Sequence, residues 1–173
     1  MKQSILKYSL LIAAMIISSS LMAQKDVRKN VRSGNKAYKQ EKYSEAFDFY
    51  NKAIESNSLS PEANYNAANT EYRQKNWEQA VEHYNNYLAI EKNNTDKMSA
   101  AWHNIGNTML QAKDLEKSME AFKMALRLNP GDDEARYNLA VVQKMIQDQE
   151  NDEQPEQQEQ EQKQNEDQQE QQN

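Results

Sequence analysis

Three stretches set an aromatic residue or histidine beside an asparagine: YNAAN at 65–69, HNIGN at 103–107 and YNLAV at 137–141. Asn66 and Asn104 are 38 residues apart, Asn104 and Asn138 34. The chemistry such a set offers is recognition. An Asn amide both donates and accepts, so it can hold a peptide backbone whatever the side chains are. A Tyr ring adds flat contact area with few rotatable bonds to immobilise. Residues suited to catalysis are scarce. His83 and His103 fall in different helical stretches with no metal-ligand spacing between them. The sequence has no Cys, which excludes disulfides, thiolate metal sites and a cysteine nucleophile. It has no Gly-rich phosphate loop, no serine elbow and no tight carboxylate cluster ahead of residue 149. Each histidine reads as an ordinary helix residue, with His103, in the aromatic's place of the motif, a candidate to face a groove. The expectation is a binding protein and not an enzyme, with no metal, no cofactor and no small-molecule substrate.

Charge narrows the partner. The formal net charge is −6, unevenly spread. Residues 149–173 hold nine acidic residues against Lys163, whereas 24–148 hold 18 acidic and 18 basic residues. A body that sums to zero has no global field to attract nucleic acid or an acidic membrane. The first 23 residues, MKQSILKYSLLIAAMIISSSLMA, run from two lysines through an apolar stretch to small residues. That is the order of a signal peptide, with cleavage expected after Ala23 or, as a fallback, after Ser20. The apolar run of roughly ten residues is short of the roughly 20 that span a bilayer. An uncleaved N-terminal anchor is the alternative. No Cys stands at the cut, so the chain is not read as a lipoprotein. The expected location is therefore the periplasm of a Gram-negative bacterium, or its inner membrane on the anchored reading.

The elements that position the motif repeat as well. KYSEAFDFY (42–50), NWEQAVEHY (76–84) and DLEKSMEAF (114–122) recur at the same 34- and 38-residue steps. Each follows a helical segment carrying Gly34-Asn35, Ala68-Asn69 or Gly106-Asn107. Few Gly and Pro, with Gln, Asn, Glu, Lys and Ala dominant, favour helix throughout. Ser60-Pro61 and Asp132 read as helix starts and Pro130-Gly131 as a stop. The predicted helices are 26–40, 43–57, 61–74, 77–91, 97–112, 115–128 and 133–148, with Asn93–Asp96 as a longer loop. Gly34, Ala68, Gly106 and Ala140 are expected at close helix approaches, and Trp102 in the core. In the last helix Ala135, Leu139, Val142 and Ile146 form an apolar stripe, and Val141 and Met145 widen it beyond what a closing helix should expose. Residues 149–173 lack apolar side chains, carry charge of one sign and include Pro155, so they are expected to form a disordered acidic tail.

These repeats resemble the tetratricopeptide repeat, whose unit is about 34 residues with the pattern W-x2-L-G-x2-Y…A-x3-F…P. Trp102, Ile105, Gly106, Ser118, Phe122, Ala125 and Pro130 fill it in the third unit; Ala67, Ala68, Ala80 and Tyr84 in the second; Gly34, Ala46, Tyr50 and Ala53 in the first. The departures are Asn30 and Asn64 for the Trp, Glu71 for the Tyr, and Glu41, Lys75 and Lys113 where Gly often makes the turn. The resemblance implies an all-α solenoid with repeats at about 27–60, 61–94 and 99–132, a closing helix at 133–148 and the tail after it. It also implies a concave groove built from the first helices. That groove would show Arg32 and Asn35, then Tyr65, Asn66, Asn69, Tyr72 and Arg73, then His103, Asn104 and Asn107, and last Tyr137 and Asn138. For Asn66 and Asn104 a bond to a neighbouring helix is an equal alternative. Some family members clamp a chaperone's C-terminal carboxylate with two Asn and several bases. Asn35 and Asn66 match the asparagines, but Val31, Ala100 and Asn104 stand where bases should be, so that clamp is not expected. The signal-like start, three repeats, the DEARYNLA helix and the Gln/Glu-rich end resemble the BatC-type Bat aerotolerance proteins. That likeness implies an envelope scaffold for protein partners such as von Willebrand A-domain membrane proteins.

Overall fold

The chain is laid out as helices joined by connections of three and four residues in strict alternation. The computed structural model describes residues 22–170, with side chains through Asn151. The helices are α1 (22–39), α2 (Tyr43–Ser56), α3 (Pro61–Arg73), α4 (Trp77–Ile90), α5 (Thr95–Gln111), α6 (Leu115–Leu128) and α7 (Asp133–Glu170). Among the described residues there is no strand and no helix long and apolar enough to cross a membrane. Most of the segment read as a signal peptide, residues 1–21, lies outside the described residues; the expected cut after Ala23 falls at the start of α1.

Local chemistry sets the helix starts. Ser60 Oγ accepts from the Ala63 amide at 3.4 Å with Pro61 at the first helical position, and Asp114 and Asp132 accept from Lys117 and Ala135 at 3.1 and 2.9 Å. A cap of this kind is worth about 1 kcal/mol. Asn94, expected within a loop, is another: its Oδ1 accepts from the Lys97 amide at 3.0 Å. So the four residues that lengthen one repeat step from 34 to 38 join α5, which has 17 residues where α3 has 13. Three helix ends share one turn, with Glu41, Lys75 and Lys113 at φ 59°, 64° and 64°. In each, the next residue's amide reaches back five positions: Lys42 to Ala37, Asn76 to Glu71 and Asp114 to Met109. This is the Schellman arrangement, here without glycine. Aromatic rings bridge two of these turns, Tyr38 on Tyr43 and Tyr72 on Trp77, each with centroids 5.4 Å apart.

The helices fall into two compact units, one through Ala101 and one from Trp102, with α5 contributing to both. In the first, Gly34 lies under the ring of Tyr50, where an added Cβ would sit 2.5 Å from Cε1. In the second, a Cβ on Gly106 would sit 2.6 Å from Cε1 of Phe122. Tyr50, Tyr84 and Phe122 are all but fully buried, each a burial worth about 1.5–3 kcal/mol. Ala135 and Val142 bury α7 against α6, flanked by Leu139 and Ile146. Two core expectations are corrected. Trp102 is half-buried at the edge of that cluster. Ala140 is exposed, because α7 turns only its Ala135–Val142 side to α6 and no later helix among the described residues approaches the other. α7 also differs in length. It is assigned as helix to Glu170, in keeping with the high helix preference of Gln and Glu.

Candidate recognition surface

The asparagines of the repeated motif face one another. Asn35 Oδ1 accepts from the Tyr50 hydroxyl at 2.7 Å and from Asn66 Nδ2 at 3.1 Å, which fills both of its lone pairs. Asn69 Oδ1 accepts from the Tyr84 hydroxyl at 2.6 Å. In the second unit Asn107 Oδ1 accepts from Asn138 Nδ2 at 3.1 Å. Each bond joins the first helix of a pair to its own second helix or to the next first helix. Burial, reinforced by Tyr38 and Glu62, pushes the Tyr50 hydroxyl up to about 12, so it remains a donor at any ordinary pH. These amides are therefore spent partly on holding helices together, the alternative that the sequence left open for Asn66.

The first unit keeps two depressions beside this network. One, of about 160 Å³, is lined by Asn35, Tyr38, Lys39, Tyr50, Asn66 and Asn69. The other, of about 360 Å³, is walled by Pro61, Tyr65, Tyr87 and Ala100 and rimmed by Glu62, Asn66, Glu91 and Lys97. Asn66 belongs to both. The Tyr65 and Tyr87 ring centroids are 5.0 Å apart, and Lys97 Nζ lies 3.4 Å from Glu91 Oε2 across the rim. Burial, with Glu91 and Tyr65 nearby, raises the Tyr87 hydroxyl above its ordinary range. Tyr87 was not among the sequence candidates. Its signal was its place three residues after Tyr84, on the same face of α4.

The remaining candidates lie elsewhere. Tyr72 is committed to Trp77. Arg73 crosses to α2, with its guanidinium 5.2 Å from the centre of the Tyr43 ring. Arg32 is exposed on α1. The Asn104 carbonyl accepts from Thr108 Oγ1 at 2.7 Å, and Tyr137 is 70% exposed on α7. His103 is corrected outright as a groove residue, being only 9% exposed. Its ring meets Phe122 edge-on at 5.7 Å, as Tyr65 meets Tyr84. Nδ1 donates to Asp132 Oδ2 at 2.9 Å, and Glu134 Oε1 lies 3.7 Å from Nε2. Asp132 thus caps α7 and anchors His103 together. Partial burial works against its charged form, but the amides of Ala135 and Glu134 and the His103 bond outweigh that and hold its pKa below the usual carboxylate value. His83 is half-buried against Phe47, at 5.7 Å. Its Nδ1 lacks a hydrogen-bond partner among the described residues, and burial lowers its pKa.

Residues 59–131 match the tetratricopeptide repeat family model. No curated protein matches the chain by sequence. Among solved structures, the first tetratricopeptide domain of human RPAP3 is 28% identical, with a TM-score of 0.62 over 75% of this chain and 96% of that one. The corresponding domain of Spaghetti, bound to the HSP90 peptide SRMEEVD, is 24% identical, with a TM-score of 0.64 over 70% of this chain and 94% of that one. The TPR2AB domain of yeast Sti1, in complex with pHSP90, is 26% identical, with a TM-score of 0.63 over 72% of this chain and 48% of that one. Helix pairs, shared turns and matched sequence agree: residues 59–131 form tetratricopeptide repeats, and the described helices share the fold of solved tetratricopeptide domains.

Proposed function

We propose that the protein is an exported, non-enzymatic scaffold that holds an extended segment of a partner protein along the first unit, across Asn66. The observation that carries this reading is the pair of depressions meeting at Asn66, one polar with Tyr38 and Lys39, the other aromatic with Tyr65 and Tyr87. A peptide side chain would rest against Tyr65 and Tyr87, and the Asn35 amide protons, whose oxygen is already filled, would meet backbone carbonyls. Domains of this fold hold short peptides in Spaghetti and in human RPAP3, with SRMEEVD and SGPTIEEVD respectively. The segment chosen here differs from those acidic ends. Val31 is buried, and neither Ala100 nor Asn104 can supply a cation, so no cluster of bases awaits a terminal carboxylate. On this reading the setting is the periplasm, with von Willebrand A-domain membrane proteins of a Bat-type assembly as partners. Mass spectrometry of the mature N-terminus tests export, with Gln24 as the expected first residue.

The direct test is a photo-crosslinking amino acid placed in living cells at Glu62, on the rim, and at Glu78, an exposed position on α4 outside both depressions. Glu62 should yield one dominant adduct with an envelope protein, reduced at least about tenfold by Tyr65→Ala with Asn66→Ala. That reduction is the loss of roughly 1.4 kcal/mol or more. Equal adducts at both positions, or an adduct indifferent to the double substitution, would refute the proposal. A second reading, self-association through the last helix, is favoured by Tyr137 and Met145, which are 70% and 42% exposed.

A further inference from the structure

We propose that the outer face of α1 docks the acidic C-terminal segment of a second copy of this chain. α1 carries Lys25, Arg28, Lys29, Arg32, Lys36 and Lys39 against one acid, Asp26. At 3.6 residues per turn these six fall within an arc of about 100°, opposite the side that buries Val31, Gly34 and Ala37. All six are exposed, and among the described residues none joins an ion pair. Elsewhere in the fold Lys42–Glu45, Asp114–Lys117, Glu120–Lys123 and Asp133–Arg136 pair along their own helices, whereas α1 has only Asp26 to set against its six bases. Like charges three and four apart destabilise a helix. A row of them on a body otherwise balanced or acidic is a surface suited to an anionic occupant.

The chain itself supplies one. Residues 149–173 carry nine acids against Lys163 and no apolar side chain. The last α7 residue packed on the core of its unit is Ile146, and the helix continues to Glu170. As a helix those 24 further residues would extend roughly 36 Å past the packed part of α7, far enough to present the acidic stretch to another molecule. Such a contact is heterologous, basic face to acidic rod, and links copies head to tail. The proposal is independent of the peptide-binding reading, since Arg28, Lys29 and Lys36 line neither depression described above.

Two full-length variants test it. The first reverses the face with Arg28→Glu, Lys29→Glu and Lys36→Glu; the second replaces the nine acids of 150–170 by their amides. Light scattering of the parent should give at least twice the mass of one chain in 50 mM NaCl. It should give the monomer in 500 mM, where the screening length falls to about 4 Å. Each variant alone should stay monomeric at low salt with unchanged helicity by circular dichroism. Mixed, they should associate, because each keeps the half that the other lacks. Three results would overturn the inference: a parent monomeric at low salt, self-association that survives both sets of changes, and absence of the mixed complex. Salt-sensitive binding of the parent to phosphatidylglycerol vesicles without a mixed complex would assign the face to lipid instead.

Discussion

In the unit that ends at Ala101, the Tyr50 ring lies over Gly34 and its hydroxyl bonds Asn35. In the unit that begins at Trp102, the Phe122 ring lies over Gly106 and has no hydroxyl to give Asn107, which is bonded by Asn138 instead. The second unit puts its polar groups elsewhere. Ser118 donates to the Gly106 carbonyl at 2.8 Å, and His103 bridges to Asp132. One backbone plan thus carries two chemistries. In the first unit a ladder of amides and phenols borders two depressions; in the second an aromatic contact and a buried His–Asp pair close over themselves. The lesson is that repeat identity specifies helix spacing, while single atoms, a phenol oxygen here and an imidazole there, decide which unit keeps a wettable surface.

The largest expected effect breaks the second unit's solution. Asp132→Ala removes the cap on α7 and leaves His103 without its acceptor. A cap is worth about 1 kcal/mol and an unpaired buried donor about 1–3, so denaturant unfolding at pH 7 should show a loss of about 2–3 kcal/mol. Because the Asp132 pKa is lowered in the folded state, its contribution is complete above the unfolded value of about 3.9. It should fade as pH falls through the lowered value. The gap between parent and variant should therefore be constant at neutral pH and narrow below about pH 4. A gap that opens as the solution is acidified would contradict the assignment.

A smaller pair of changes exchanges the two solutions. Tyr50→Phe should cost about 1 kcal/mol, the worth of one buried hydrogen bond, and should loosen Asn35 and Asn66 at the boundary of the two depressions. Phe122→Tyr should be neutral or stabilising by up to about 1 kcal/mol, since Asn35 shows that one amide oxygen can take a phenol and a second amide together. Thermal unfolding of both variants decides it. If Phe122→Tyr were as damaging as Tyr50→Phe, the rim of the ring would be walled off in the second unit and the likeness between units would end at the backbone.

How much of this was legible follows from the range of each signal. Ser60-Pro61, Pro130-Gly131 and Asp132 act within one turn, and the helix bounds drawn from them lie within a few residues of those found. The placement of Tyr50 and Phe122 over glycines was legible too, because the repeat fixes partners 16 residues apart. The four inserted residues were misplaced because the cap at Asn94 looks in sequence like one more polar loop residue. The sequence left open whether Asn66 faces a guest or a neighbouring helix, because that choice depends on neighbours 31 residues away, as Asn66 and Asn138 show. His103 turned inward for the same reason, since its acceptor, Asp132, lies 29 positions on.

The smallest effect concerns a feature that the units share. Glu41, Lys75 and Lys113 all adopt a left-handed turn that costs a side-chain-bearing residue about 1–2 kcal/mol. Lys113→Gly removes that strain, but a glycine also gives the unfolded chain freedom worth about 0.4–1 kcal/mol. The difference leaves a net gain of about 0.5 kcal/mol, visible as a higher urea midpoint with unchanged slope. Lys113 is exposed and its side chain enters no ion pair among the described residues, so nothing else is lost. Lys75→Gly lies in the first unit and should give the same gain. Were Lys113→Gly to stabilise and Lys75→Gly to destabilise, the turn beside the polar ladder would depend on its lysine, and the two units would differ in their backbone energetics as well as in their buried chemistry.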